Sequence, residues 1–317
     1  MDIAIIGAGL AGLATAYHLA ERTDYKIRIL DKEPEPGLGA STKNASMLCR
    51  LSPDPVLSRL MSSSINGIKL DWLRRFKYSL KLNECGSWHI GSKSDLKPFL
   101  ESASVLQEMG VDVAVMDRSE AVRREPELIQ ATFEQAVWCP SDGVFPAENL
   151  IKTLVEHLKS KGVSFCYLNK MHTEPESDRD IILTNGEQKH RARFVVNAGG
   201  AWGSAVHRDQ NPGYPEYAIL KRHLFVTRPL PEKYQRKRPI IWDITDHFYM
   251  RPEKTSQLMS ACDNTPCEAD LCKINPDRYS DMESKLKRFG VDWSDTKFMR
   301  VWSGLRTFSP DGRPIIG

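Results

Sequence analysis

Asp2-Ile-Ala-Ile-Ile-Gly7-Ala-Gly9-Leu-Ala-Gly12, continued by Leu13 to Ala20 and then by Lys26-Ile-Arg-Ile-Leu30-Asp31, is the stretch that decides the fold. Asp2 to Ile6 is apolar and mostly β-branched, as a strand is. Glycines at 7, 9 and 12 break that pattern, and Leu10 to Ala20 resumes with helix formers and apolar side chains at helical intervals. Lys26 to Leu30 alternates polar and apolar before Asp31, so the first 31 residues read as one βαβ unit that starts a parallel sheet. Gly7 permits a tight turn, Gly9 leaves room for a pyrophosphate at the backbone, and Gly12 lets the helix pack closely on the strand. The helix N-terminus offers unpaired N–H groups and a partial positive charge to phosphates, and Asp31, 24 residues after Gly7, suits a ribose diol. By itself the triplet serves FAD or NAD equally well.

The rest of the composition bounds what such a unit can belong to. At 317 residues, against roughly 150 for a typical domain, the chain has room for two domains. Its 41% hydrophobic and 27% charged residues, with a mean hydropathy of -0.42, exclude a disordered or membrane-embedded chain. A net charge of +3 is too balanced for a nucleic-acid or membrane-surface partner to be read from charge, so a small ligand is expected. Ile3 to Ala20 carries no Asp, Glu, Lys or Arg, yet Met1-Asp2 provides no basic flank and the glycines interrupt it, so neither a signal peptide nor a membrane span is expected there. Seven irregularly spaced cysteines point to a reducing cytoplasm. Cys262, Cys267 and Cys272 lack metal-site spacing and a following histidine, so no metal is expected. The basic run Lys233 to Arg238 reads as a solvated loop.

Farther along, a loop rich in Pro and Gly precedes a mostly helical region through Leu82. Short strands are expected at Trp88–Gly91 and Val111–Val115, a helix at Glu148–Lys161 and a strand at Val163–Leu168. Ile181–Thr184, the Asn185-Gly186 turn and Arg193–Asn197 read as a hairpin-like excursion returning to the main sheet. From Ile219 onward, Leu224–Thr227, Phe248–Arg251 and Leu258–Ala261 read as strands, with a helix near Asp281–Phe289. The expected fold class is α/β: a Rossmann-like dinucleotide-binding domain with a second, mostly antiparallel α+β substrate domain. Residues 1–82, 140–215 and 300–317 fall to the first and 83–139 and 216–299 to the second.

Four further stretches narrow the reading: Gly39-Ala-Ser-Thr-Lys-Asn-Ala45, Pro140-Ser-Asp-Gly-Val-Phe-Pro146, Val195-Val-Asn-Ala-Gly-Gly-Ala-Trp202, and Trp302-Ser-Gly-Leu-Arg-Thr-Phe-Ser-Pro-Asp-Gly-Arg-Pro-Ile-Ile-Gly317. In order and spacing they resemble the D-amino acid oxidase superfamily of FAD-dependent oxidoreductases. The stretch from Phe248-Tyr-Met-Arg-Pro252 through Ser260-Ala-Cys-Asp-Asn-Thr-Pro266 is most similar to D-arginine dehydrogenase-like and D-amino acid dehydrogenase-like members. The resemblance implies FAD as cofactor. It assigns Gly7, Gly9, Leu10, Ala11, Gly12, Asp31 and Lys32 to the dinucleotide, and Ala40, Ser41, Thr42, Asn44, Ala45 and Met47 to phosphate, ribitol and ring contacts. Met171 would meet the adenine with its backbone, and Ala198, Gly199, Gly200, Trp202, Gly304 and Arg306 would complete the cofactor site.

The same resemblance implies an amino acid or small amine as substrate, with the electron acceptor left open. Arg306 corresponds to the arginine that holds the substrate carboxylate, and a guanidinium fork fixes orientation through two parallel hydrogen bonds. Tyr249 corresponds to a pocket-lining tyrosine and Arg222 to a basic residue near the pocket, with Arg222 and Arg50 as alternative carboxylate anchors. Leu48 stands where the D-arginine dehydrogenase pattern has histidine, which speaks against D-arginine. Oxidation of a 2-hydroxy acid and an inert flavin-binding subunit remain competing functions. Similar proteins continue beyond the Pro314–Gly317 stretch with a strand, a turn and a helix, so the natural chain is expected to continue past Gly317 or to receive that piece from a partner chain.

Overall fold

The computed structural model describes residues 1–174, 180–207, 215–230, 238–269, 272–288 and 298–316. In chain order its first half holds β1 (Ile3–Ile6), α1 (Leu10–Ala20), β2 (Ile27–Leu30), β3 (Met47–Leu48), α2 (Pro55–Gly67), α3 (Leu73–Arg75), β4 (Ser87–Gly91), α4 (Lys93–Glu108), β5 (Ala114–Asp117), α5 (Arg118–Arg124), β6 (Gln135–Cys139), β7 (Gly143–Val144) and α6 (Ala147–Ser160). The second half holds β8 (Ser164–Cys166), β9 (His172–Glu174), β10 (Ile181–Thr184), β11 (Lys189–Ala192), β12 (Phe194–Asn197), α7 (Gly203–His207), β13 (Ala218–Thr227), β14 (Ile240–Asp243), β15 (Phe248–Glu253), β16 (Ser256–Ser260), β17 (Thr265–Pro266), α8 (Arg278–Arg288) and β18 (Phe298–Phe308). A single π-helical turn, Ile68–Trp72, joins α2 to α3.

Among the described residues the strands form four sheets. The first is parallel, in the order β12-β1-β2-β8, with the expected βαβ unit at its centre. Strand alternation divides its side chains: Ile3 and Ile5 pack with Leu13, Tyr17, Ile151 and Leu154 of α1 and α6, while Ala4 and Ile6 pack with Met171, Leu183 and Val206 beneath the β9-β10-β11 meander. Both faces are covered, which explains a β1 without a polar side chain.

The large sheet runs β17-β13-β16-β15-β14-β4-β6-β5, with β18 also paired to β13, and all its pairs are antiparallel except β4 with β14. Cross-strand partners share a face, so the register sorts the residues. Trp88, Ala136, Ile241, Met250, Met259 and Phe225 form one face with Met282 and Leu286 of α8. His89, Trp242, Tyr249, Arg251, Leu224, Arg222, Trp302, Gly304 and Arg306 lie on the other, which faces the loop before β3.

The α/β class thus holds, with one parallel and one mostly antiparallel sheet. Strand β18, whose residues 300–308 the sequence groups with the dinucleotide-binding part, is hydrogen-bonded along its length to β13 in the large sheet. The strand expected at Val111–Val115 lies at Ala114–Asp117. The hairpin is Ile181–Thr184 with Lys189–Ala192, and Phe194–Asn197 pairs with β1. Helix α4 is not singled out by the sequence, because Pro98 reads as a helix breaker, although its buried Leu96, Phe99, Ala103 and Leu106 keep helical spacing. Of the basic run, 233–237 lies outside the described residues; Arg238 is buried against Glu127 at 3.0 Å rather than solvated. Among the described residues no helix is long and apolar enough to cross a membrane.

Candidate active site

The chain leaves β1 through Gly7, whose φ of +106° suits glycine alone; a Cβ there would overlap the Ala198 carbonyl, and one on Gly12 would overlap the Gly7 carbonyl. Strand, turn and helix are therefore locked at the shortest possible separations. A Cβ on Gly9 would meet only Ser41 Oγ, at 3.0 Å, so this glycine faces open space. Helix α1 has no capping side chain of its own and no acid in its first turn. Ser41 reaches across to accept the Leu10 N–H at 2.9 Å, and the positive end of the helix is left directed at the cavity in front of it.

That cavity, about 470 Å³, is walled by the Gly7–Ala11 turn, by Leu30 to Glu33 after β2, by Gly37 to Ser41, by Asn169 to His172, by Ala198 to Trp202 and by Leu305 and Thr307 of β18. Asp31 is held in place by the Ala8 N–H on Oδ2 at 2.5 Å and the Glu33 N–H on Oδ1 at 2.9 Å. The Lys32 ammonium lies 4.0 Å from the centre of the Trp202 ring. An open glycine turn, a helix N-terminus and an acid at the end of the second strand fit the pyrophosphate and ribose of a dinucleotide.

The structure thus gathers Gly7, Gly9, Leu10, Ala11, Asp31, Lys32, Ala40, Ser41, Met171, Ala198, Gly199, Gly200 and Trp202 around one cavity. Gly12 serves the packing behind it. Thr42 and Asn44 shape the loop: Thr42 Oγ1 donates to the Gly37 carbonyl at 2.7 Å, and Asn44 Nδ2 donates to the Ser41 carbonyl at 2.7 Å while its Oδ1 accepts the Ser46 N–H at 2.6 Å. Ala45 and Met47 pack instead on the large sheet beside Tyr249. Gly304 is small because a Cβ would overlap the Lys43 carbonyl, which also accepts a hydrogen bond from Trp302 Nε1 at 3.1 Å. Arg251 Nε donates to the Ala45 carbonyl at 2.5 Å. Residues 39–47 are therefore the joint between the two sheets. Asn169, Lys170, His172, Leu305 and Thr307 also line the cavity without having been singled out, since no motif distinguishes them from ordinary loop and strand residues.

On the sheet face across this joint, Tyr249 is buried and its phenol is pushed up to about 12 by that burial, so it stays protonated. Arg222 donates through Nη2 to the Cys262 carbonyl at 3.2 Å and to Asn264 Oδ1 at 3.0 Å, and through Nε to the Asp263 carbonyl at 3.3 Å. Arg306 donates through Nη1 to the same Asn264 Oδ1 at 2.6 Å. Burial, followed by the nearby charge of Arg222, pulls Arg306 down to about 10. Among the described residues neither guanidinium has a carboxylate within ion-pair distance. A second cavity of about 320 Å³ is lined by Arg222, Trp242, Cys262, Asp263, Asn264, Asp281 and Lys285. The joining role of Asn264 escaped the sequence reading, although it stands in the quoted Ser260–Pro266 stretch.

Arg50, an alternative carboxylate anchor by sequence, is excluded by its surroundings. It is buried, with Nη1 donating to Ser62 Oγ at 2.8 Å and to Asn66 Oδ1 at 3.1 Å, Nε donating to Ser141 Oγ at 3.1 Å, and its charge 3.8 Å from Asp142. It fastens α2 to the turn before β7.

Comparison with known proteins agrees with this construction. Residues 2–317 match the family described as FAD dependent oxidoreductase, DAO. Glycine oxidase of Geobacillus kaustophilus is 22% identical over 324 residues, spanning all of this chain and 84% of that protein. A D-amino acid dehydrogenase of Granulibacter bethesdensis is 20% identical over 372 residues, spanning all of this chain and 88% of its own length. The crystal structure of L-proline dehydrogenase from P. horikoshii superposes with a TM-score of 0.85 at 17% identity, covering all of this chain and 84% of the other, a likeness of fold. With the glycine turn, the α1 N-terminus and Asp31 assembled at one cavity, the chain belongs to the DAO family of FAD-dependent oxidoreductases.

Proposed function

We propose that this enzyme removes a hydride from the carbon bearing the amine of an amino acid or related small amine. The carrying observation is Arg306: a half-buried guanidinium without a carboxylate partner among the described residues, beside a buried phenol, on the sheet face that meets the cofactor loop. The names of the relatives, glycine oxidase and D-amino acid dehydrogenase, support the same substrate class. FAD, when bound, supplies the two-electron acceptor. The Gly7–Gly9 turn and the α1 N-terminus would hold its pyrophosphate, Asp31 its ribose, Met171 and Ala198 to Trp202 its flanks, and Ser41 with Leu305 the approach to the joint.

Arg306 then binds the substrate carboxylate through two parallel hydrogen bonds, replacing its present contact with Asn264, and so aims the amine-bearing carbon toward the joint. Tyr249, protonated at any working pH, donates to the same substrate end. The ammonium proton leaves to solvent first, because only a neutral amine has the lone pair that stabilises the carbon as it gives up a hydride. The substrate leaves as an imine. Arg222, joined to Arg306 through Asn264 Oδ1, lines the second cavity.

Turnover of D- and L-amino acids, secondary amines and 2-hydroxy acids with an artificial electron acceptor tests this reading. Amines should be oxidised. Oxidation of 2-hydroxy acids alone would replace the substrate class, and silence toward all of them with FAD fully bound would make the chain a flavin-binding subunit.

A further inference from the structure

Two half-buried cations that point at one spot without an acid between them among the described residues need an explanation. Arg222 pairs with Gly304 across β13 and β18, and Leu220 pairs with Arg306, so the two arginines are diagonal neighbours on one face, about 7–8 Å apart at their Cα atoms. Among the described residues their only common partner is a neutral oxygen, Asn264 Oδ1, at 3.0 and 2.6 Å. The nearest acid, Asp263, is engaged elsewhere: Oδ1 accepts the His223 N–H and Oδ2 pairs with His223 Nδ1, each at 2.8 Å, and His223 belongs to the opposite face. Asp281, at the end of the second cavity, pairs with Arg278 at 3.3 Å. Burial and mutual repulsion make the pair costly until anions reach it.

We infer that Arg306 and Arg222 each take one carboxylate of the substrate, so that the preferred substrates are aminodicarboxylates, amines carrying two acidic groups. The inference rests on the amine-oxidising reading above. In the reactive form with a neutral amine, a monocarboxylate brings one negative charge and leaves one guanidinium unneutralised, whereas an aminodicarboxylate brings two. The cavity of about 320 Å³ lined by Arg222 gives the second carboxylate its place, with Lys285 as a further cation and Trp242 as an apolar wall, while Asp263 and Asp281, which also line it, are paired with His223 and Arg278.

The test compares kcat/KM of the FAD-loaded protein for aspartate, glutamate and iminodiacetate with that for asparagine, glutamine and N-methylglycine, using the active enantiomer where there is one. A margin of at least about tenfold for the acids is expected, the value of one additional charge-assisted contact. In Arg222→Gln that margin should shrink toward one, and in Arg222→Lys part of it should survive. Calorimetry of malonate and succinate against acetate and propionate reads the same preference without turnover. Equal or better use of the neutral compounds overturns the inference, as does an equal loss for both sets in Arg222→Gln, which would put Arg222 on the same carboxylate as Arg306. If no amine is oxidised, the functional reading fails as well; dianions that bind no tighter than monoanions overturn this inference alone.

Discussion

Arg306 and Gly7 show two ways in which one residue governs the site, the first by a charge and the second by the absence of a side chain. Truncating the guanidinium in Arg306→Ala should lower kcat/KM about a hundredfold, on the order of 3 kcal/mol for a charge-assisted bidentate contact. Flavin content should not fall, because the glycine turn and Asp31 are untouched, and Arg306→Lys should recover part of the loss. Steady-state kinetics beside a flavin-to-protein ratio decides this. In Gly7→Ala the order is reversed: the positive φ and the overlap with the Ala198 carbonyl should cost about 2–4 kcal/mol and displace the turn. The variant should lose flavin before it loses any affinity for substrate carboxylate. Gly7 was readable from the sequence because its requirement is local, set by a strand before it and a helix after it. Asn264 was not, because its meaning depends on two arginines brought together by the pairing of β13 with β18.

At the scale of elements, β4 carries a pH-sensitive cost. His89 is wholly buried between Trp242 and Phe99, neither ring nitrogen has a hydrogen-bond partner among the described residues, and burial lowers it to about 4. A base whose folded pKa lies below the unfolded value of about 6.5 binds its proton in the unfolded chain first, so stability is complete above that value and is lost as pH falls toward 4. His89→Phe keeps the ring and removes the titration. Urea unfolding of both proteins should show the variant gaining about 2 kcal/mol on wild type between pH 7 and pH 5. A gap that stays constant across that range would mean the imidazole finds a partner. The elements also mark where sequence reading ends. The period of α6 is plain, with Leu150, Ile151, Leu154, Val155 and Leu158 all on one buried face, whereas in α4 the same kind of spacing, Leu96, Phe99, Ala103 and Leu106, is masked by Pro98. Arg50 is the same lesson in a side chain: beside a cofactor loop in sequence, it is withdrawn by Asp142 and Ser62, which only the fold brings near.

Over the whole molecule, a parallel sheet presents a helix N-terminus to a cavity and a mostly antiparallel sheet presents arginines and a phenol, with residues 39–47 and β18 as the joint. The N-terminal βαβ unit announces the first sheet by its glycine spacing. The second has no such signature, and its assignment came from runs of short strands; that β18 lies within it is a matter of long-range register. The account places amine oxidation at that joint. The most direct measurement is the visible spectrum of the bound flavin under anaerobic conditions, before and after adding a panel of amino acids and small amines. Bleaching by at least one of them is predicted, with Arg306→Ala needing about a hundredfold more of the same compound. A spectrum unchanged by every amine, with the FAD site filled, would contradict the account.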